Sequence, residues 1–433
     1  MKNTIVMGCD TMIWAPPNTR LKWFLAWRTM VRTRVSYSVG VTDSPPRLGD
    51  AYAAAYSSTA PGTVQGSQLP PPPAPESPTP ARSKRITGID MARGIAMFSM
   101  TVVHFVAFFE NEGETLATIA SVNRGRAMPL FVMLGGIGVT FLTRRAATPE
   151  RDLIIRAVML FALGLFLTEY VDRIAIILQS YGLFFVIAAV LWRLPSSVLL
   201  ALVPTIIVTA MFTYQLFGEP RVLTPFDEAF TVEGIESLVI DGFYPLFPVG
   251  ALFVFGIWLG RIDLSSERVA MTLAGVGTVV GAGVHFGANA LVSAFNLQID
   301  FGGRRGDDMF HLTRLLDTEG HSEMTAWVLS VMGSSSAVLG FSLLIAPRIP
   351  KLVHPISTVG SMALTYYVWQ AWLTTQVAPT IDTTIQNEWI LVFIVYFVFV
   401  GLALIYRIWF TTGPLEWVLR LGSGPKKPRT EVA

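Results

Sequence analysis

The stretch RITGIDMARGIAMFSMTVVHF, Arg85 to Phe105, decides what kind of chain this is. From Gly88 onward it is apolar for close to the ~20 residues that a bilayer-crossing helix needs. Yet Asp90, Arg93 and His104 lie within it or at its edge. Arg93 and His104 are 11 residues apart (104 − 93), three turns of a helix, so they share a face. Asp90, one turn before Arg93, shares that face too. A rise of about 1.5 Å per residue separates Arg93 from His104 by roughly 16 Å along the axis. The spacing therefore predicts a polar stripe along one face of a membrane helix. Ionisable groups inside a span are expensive and are functional candidates by default. The competing reading is structural: a local Asp90–Arg93 ion pair at the boundary, and a hydrogen-bonded histidine inside a bundle.

Outward from that helix, apolar stretches recur at about 88–109, 126–143, 153–170, 174–192, 196–217, 243–261, 268–295, 325–346, 355–377 and 389–411. The 433 residues are 52% hydrophobic and only 14% charged, with a mean hydropathy of +0.52, whereas a soluble domain is about a quarter charged. The expected fold is an all-α polytopic membrane bundle of about ten transmembrane helices. Lys and Arg in alternate connections, such as Arg82 to Arg85, Arg144 to Arg156 and Lys426 to Arg429, outnumber those in the other set roughly two to one. That bias predicts both termini in the cytoplasm. The opposite side then carries two long connections, 218–242 and 296–324, and the piece Phe226 to Leu238 reads as re-entrant or interfacial.

Residues 1–85 contrast with the rest. The run Pro70 to Pro73 and the surrounding Ser, Thr, Ala and Pro bury too little apolar surface to order the chain, which predicts a disordered cytoplasmic tail. Residues 20–35 mix Trp23 and Trp27 with five basic residues, a pattern that suits an anionic membrane surface or an extension of no function. No apolar run with a small-residue cleavage site opens the chain, so no signal peptide is expected. The membrane domain spans 86–420, and a basic tail follows at 421–433. The lone cysteine, Cys9, excludes an intrachain disulfide and a cysteine metal site. With a net charge of +2 and no basic patch, nucleic acid is not an expected partner.

Several other residues are candidates. Arg126 opens the second span and suits an acceptor site or a snorkelling boundary role. Gly135, Gly136 and Gly138 permit close helix approach. Gln179 and Tyr181 are polar groups inside the fourth span. His285 has no charged sequence neighbour and reads as structural. His311 and His321 are ten residues apart with acids nearby, but lack a metal-site spacing, so no metal is expected.

The first helix also carries a resemblance. GIDMARGIAMFSMTVVH (88–104) is similar to the first-helix signature of the membrane acyltransferases related to heparan-α-glucosaminide N-acetyltransferase, which include bacterial branches known as the domains of unknown function DUF418 and DUF1624. GRAMPLFVMLGGIG (125–138), SYGLFFVI (180–187), YPLFPVGALFVFGIWLGRIDL (244–264), HSEMTAWVLSVMGSSSAVLGFSLLI (321–345), GSMALTYYVWQ (360–370) and GPLEWVL (413–419) resemble later segments of that group in order. The resemblance covers about residues 85–420. It implies transfer of an acyl group, acetyl foremost, from cytosolic acyl-CoA to a hydroxyl or amine of an envelope glycan or glycolipid on the outer side. The membrane it implies is a bacterial plasma membrane. Acyl-CoA is a co-substrate in this scheme, with no cofactor held permanently. Asp90 and Arg93 would meet acyl-CoA, His104 would be the catalytic base, and Arg126, His321, Ser322 and Gln370 would contact the acceptor. The lysosomal relative has Asn at the position of His104, and some branches have His at Gln370. Arg85, Asp90 and Arg93-Gly94, with His104 beyond them, match the spacing of sugar O-acyltransferases. A transporter or flippase without acyl chemistry, and a scaffold that uses the Pro-rich tail, are the alternatives; oligomeric state is left open.

Overall fold

A computed structural model describes residues 85–106, 123–171, 174–217, 230–297, 299, 312–377 and 388–424, all within the compact unit Ala81–Ala433. The Pro-rich tail, Cys9, His311 and the basic residues beyond Gly424 lie outside the described residues. Among those residues the chain forms thirteen α-helices and no strand. They are α1 (Thr87–Val106), α2 (Ala127–Arg145), α3 (Pro149–Tyr170), α4 (Leu178–Leu191), α5 (Ser196–Phe217), α6 (Val232–Glu236), α7 (Leu246–Leu259), α8 (Glu267–Ala294), α9 (Thr325–Ile345), α10 (Pro350–Ser361), α11 (Ala363–Val377), α12 (Glu388–Trp409) and α13 (Pro414–Leu421).

The chain is an integral membrane protein. Six helices (α2, α3, α5, α8, α9 and α12) are long and apolar enough to cross a bilayer by length and composition, and α4 and α7 are shorter apolar helices. Where Phe226 to Leu238 was expected to be interfacial, the described part holds the short α6 and a π-helical turn, Ser237–Asp241.

Helix α1 lies inside the bundle, against α2, α9, α10, α11 and α12. Ile89, Ala92, Ala96, Met97, Met100, Val102 and Phe105 are buried. Helices in lipid gain little from hydrophobic burial against one another, so close van der Waals fit must hold them. Two glycines allow that fit with α10. A methyl group on Gly94 would run into the Ile356 carbonyl, and one on Gly360 into the Asp90 carbonyl. The Tyr396 hydroxyl from α12 donates to the Gly94 carbonyl at 3.1 Å.

Nine of the expected apolar stretches appear as single helices. The exception is 355–377, where the chain breaks at Met362 (φ −122°, ψ 34°) between α10 and α11. The break frees the first N–H groups of α11, which an unbroken helix would have used internally. Glu416 of α13 takes them: Leu364 N–H donates to Oε1 at 2.7 Å and Thr365 N–H at 3.1 Å. The Thr365 hydroxyl donates to the other oxygen, Oε2, at 2.6 Å.

Candidate active site

At one end of the α1 stripe the charges balance each other. Asp90, only 5% exposed, accepts from Arg85 Nε at 2.5 Å and Nη2 at 3.0 Å, and from Arg93 Nη1 at 3.3 Å. Asp90 is thus the shared counter-ion of two arginines, which fits the structural reading of the pair. Arg93 Nη2 reaches the Leu134 carbonyl of α2 at 3.5 Å. Gly138 lies beside it, where a Cβ would meet that nitrogen at 3.4 Å. The guanidinium also lines a cleft with about 460 Å³ of empty space at the α10–α11 break, along with Gly135, Tyr181, Ser361 and Glu416. The Tyr181 hydroxyl is buried there without a hydrogen-bond partner. Gln179, the other polar group of that span, bonds Thr168 Oγ1 across to α3 at 3.2 Å.

The same face of α1 continues through Met97 and Met100, both buried, to His104. The polar stripe is therefore interrupted, and the cleft at His104 shares no lining residue with the one at Arg93. This second cleft has about 400 Å³ of empty space, its mouth included, between Met100, His104, Gly125, Tyr244, His321 and Tyr367, among others. Gly125 sits there at φ +72°, and a side chain on it would overlap Gly320. Asn123 ties the turn to α1: Ser99 Oγ donates to its Oδ1 at 2.5 Å, and its Nδ2 donates to the Ser99 carbonyl at 2.9 Å.

His104 is held by α11. Nε2 of the fully buried Gln370 lies 2.5 Å from His104 Nδ1, and Gln370 Oε1 lies 3.0 Å from Thr101 Oγ1. Thr101 Oγ1 also lies 2.9 Å from the Met97 carbonyl and 2.5 Å from the Tyr366 hydroxyl. A half-turn of the amide exchanges its oxygen and nitrogen without moving either position. With that exchange every group has a partner. His104 Nδ1–H donates to Gln370 Oε1, Gln370 Nε2–H and the Tyr366 hydroxyl donate to Thr101, and Thr101 donates to the Met97 carbonyl. Without it, Thr101 donates to Gln370 Oε1, Gln370 Nε2 donates to His104 Nδ1, and the ring proton sits on Nε2. The exchanged arrangement leaves the Nε2 lone pair of His104 free, and His104 lines the cleft.

The other expected site residues part company here. His321 lines the cleft with His104, and its ring sits 4.4 Å from Phe243 and 5.8 Å from Tyr244, centroid to centroid. Ser322, next to it, donates to the Asp317 carbonyl at 3.4 Å and accepts from Met324 N–H at 3.5 Å, which closes the loop before α9. Arg126 donates from Nη1 to Ser330 and Ser334 of α9, each at 3.3 Å. Its neighbours Gly125 and Ala127 line the cleft and it does not. His285 Nδ1 is buried without a hydrogen-bond partner in α8. Among the described residues no three His, Cys, Asp or Glu side chains converge as a metal site would require.

Two family models match the chain. The one described as heparan-alpha-glucosaminide N-acetyltransferase, catalytic, matches residues 85–293, and the one described as a protein of unknown function (DUF418) matches residues 309–424. The chain belongs to the membrane acyltransferase superfamily related to heparan-α-glucosaminide N-acetyltransferase. No curated protein matches it. In this family member His104 comes from the first matched region, whereas Gln370, His321 and Glu416 come from the second.

Four contributors went unseen in the sequence of this acyltransferase-superfamily chain. Thr101, one turn before His104, reads as an ordinary small polar residue of a span, and Tyr366 reads as core. Glu323, two residues from His321, and Glu416 read as loop and surface acids. Burial pushes the Glu323 carboxyl above the ordinary carboxylate range, and the His321 ring beside it pulls it partly back. Burial raises Asp317 of the same loop as well.

Proposed function

We propose that the protein moves an acyl group, most readily acetyl, from cytosolic acyl-CoA to a hydroxyl or amine of an envelope glycan or glycolipid across a bacterial plasma membrane. The observation that carries this reading is the His104–Gln370 pair. With the Gln370 amide oxygen turned to Nδ1, the pair sets an imidazole with a free Nε2 into a cleft inside a membrane bundle, and imidazole is the commonest general base near neutral pH.

In this reading the Arg93 end faces the cytoplasm, as the Lys and Arg bias predicts. Arg93 meets the donor phosphates with charge-assisted hydrogen bonds, and Asp90 orients the guanidinium rather than touching the donor. The acyl-bearing arm passes Met97 and Met100, whose flexible side chains yield more easily than branched ones. At His104 the acceptor oxygen or nitrogen attacks the thioester carbon while Nε2 takes its proton. The new bond forms as the carbonyl electron pair moves to oxygen. Collapse then restores the carbonyl and breaks the carbon–sulfur bond, and the departing sulfur takes the proton back from Nε2. Gln370 accepts the Nδ1–H throughout, which keeps the ring in the tautomer that can act as base.

Membranes holding the protein should transfer label from radiolabelled acetyl-CoA to an envelope component. His104→Ala should lose that transfer, while Gln370→Ala should lower turnover about tenfold, the consequence of leaving one buried partner unsatisfied. Full activity in His104→Ala would defeat the assignment. Two separate clefts in line along α1 also suit a carrier. Solute uptake by vesicles without acyl-CoA would favour that second reading.

A further inference from the structure

His321 has supports that a packing histidine does not need. Its Nδ1 is buried without a hydrogen-bond partner and lies 3.8 Å from Glu323 Oε1, so the ring meets the cleft with its opposite edge, which carries Nε2. Glu323 is 3% exposed, and neither carboxyl oxygen has a hydrogen-bond partner. In particular neither accepts an N–H of α9, which begins two residues later, so helix capping does not explain this acid. Both residues hold the left-handed backbone region, His321 at φ 66° and Glu323 at φ 56°, where non-glycine residues are strained and persist only when their surroundings demand it. Phe243, Tyr244 and Trp327 (centroid 6.3 Å away) surround the ring. A clamped ring, a strained loop and an orphaned buried carboxyl together mark a binding or reacting group rather than a filler.

Two imidazoles thus border one cleft. Each turns Nδ1 toward a partner behind it, Gln370 or Glu323, and Nε2 toward the space they share. One base suffices for acyl transfer, so the second acceptor nitrogen calls for a second donor on the ligand. We propose that His321, braced by Glu323, determines specificity by binding a second hydroxyl or amine of the acceptor, so that the site takes molecules with two adjacent donors. This rests on the acyltransferase reading above. The first donor is acylated at His104 and loses its proton there. The second keeps its proton, shares it with His321 Nε2, and fixes which of the two is presented. Glu323, whose Oε1 lies 3.8 Å from His321 Nδ1, acts as a positioning residue through that ionic contact.

The experiment uses the full chain in lipid nanodiscs with acetyl-CoA and two probes: a cyclohexane diol with adjacent hydroxyls, and cyclohexanol. Ester formation is measured for both. The diol should show a KM about tenfold lower than the mono-alcohol, the discrimination expected of one added hydrogen bond to a buried partner. His321→Ala should erase that difference, raising KM for the diol about tenfold and that for cyclohexanol by less. Glu323→Gln should act in the same direction and Glu323→Asp should restore part of the preference, which a merely structural acid would not do. His321→Gln serves as a second variant if the alanine form does not fold. Equal KM values in the unaltered protein, or equal loss with both probes in folded His321 variants, would overturn the proposal. Labelling of native membranes from acetyl-CoA separates the two readings: its absence overturns the acyltransferase reading, whereas its presence without diol preference overturns this one alone.

Discussion

The two ends of α1 lie on one face of one helix and do opposite things with polarity. At the Arg93 end, ionised groups neutralise one another through a shared carboxylate, Asp90. At the His104 end the α1 side chains that meet α11 are joined by hydrogen bonds alone, to Gln370 and Tyr366. A guanidinium cannot give up its proton at any ordinary pH, so the first end can attract and hold but cannot catalyse proton transfer. An imidazole can do so near neutrality. Two buried methionines stand between the ends and keep the fixed charge away from the imidazole. On the proposed reading the arrangement pairs a binding end with a reacting end and insulates one from the other.

That comparison can be broken at four points. His104→Ala should reduce transfer by about 10²- to 10⁴-fold, the usual contribution of a positioned base, with acetyl-CoA affinity unchanged by calorimetry. Arg93→Ala should do the reverse: KM for acetyl-CoA rises about tenfold to a hundredfold, the range for lost hydrogen bonds to a charged group, while turnover at saturation changes less. If both variants altered the same parameter, the division of labour would be wrong. Met100→Ile should slow turnover several-fold with donor affinity intact, because a β-branched side chain is stiff at χ1; unchanged turnover would mean that the acyl arm takes another route. The smallest effect concerns pH. Burial raises the carboxyls of Asp317 and Glu323, so the folded protein holds protons that the unfolded chain has already released. Stability is then full below the ordinary carboxylate range and falls as pH rises through the raised values. Thermal melting in detergent should show that fall, and Asp317→Asn with Glu323→Gln should flatten it.

Much of the architecture could be read from residue order. The period and length of the apolar runs located nine helices, and the spacing of Arg93 and His104 put them on one face. Three features could not be read that way. Met97 and Met100 interrupt the stripe, but a flexible apolar side chain gives no sign of whether it fills a channel or a core. The break at Met362 lies two residues beyond Gly360, which meets the Asp90 carbonyl of another helix, a contact with no trace in a local pattern. Gln370 entered only through family resemblance, since its partner His104 is 266 residues away and pairing across helices leaves no periodic signature. His321 stands out in the sequence and Glu323 does not, because the left-handed backbone that both adopt is written in no residue preference of either.

The capping of α11 by Glu416 adds a dimension of time. The first turn of the helix that carries Gln370 is closed by a carboxylate placed 51 residues after Thr365. As the chain is made and threaded into the membrane, His104 enters early and Gln370 late, yet the end of the helix that aligns them is closed only when α13 arrives. Nascent chains that have already inserted most of their spans therefore lack this closure, and on the proposed reading they become competent for acyl transfer only once α13 is in place.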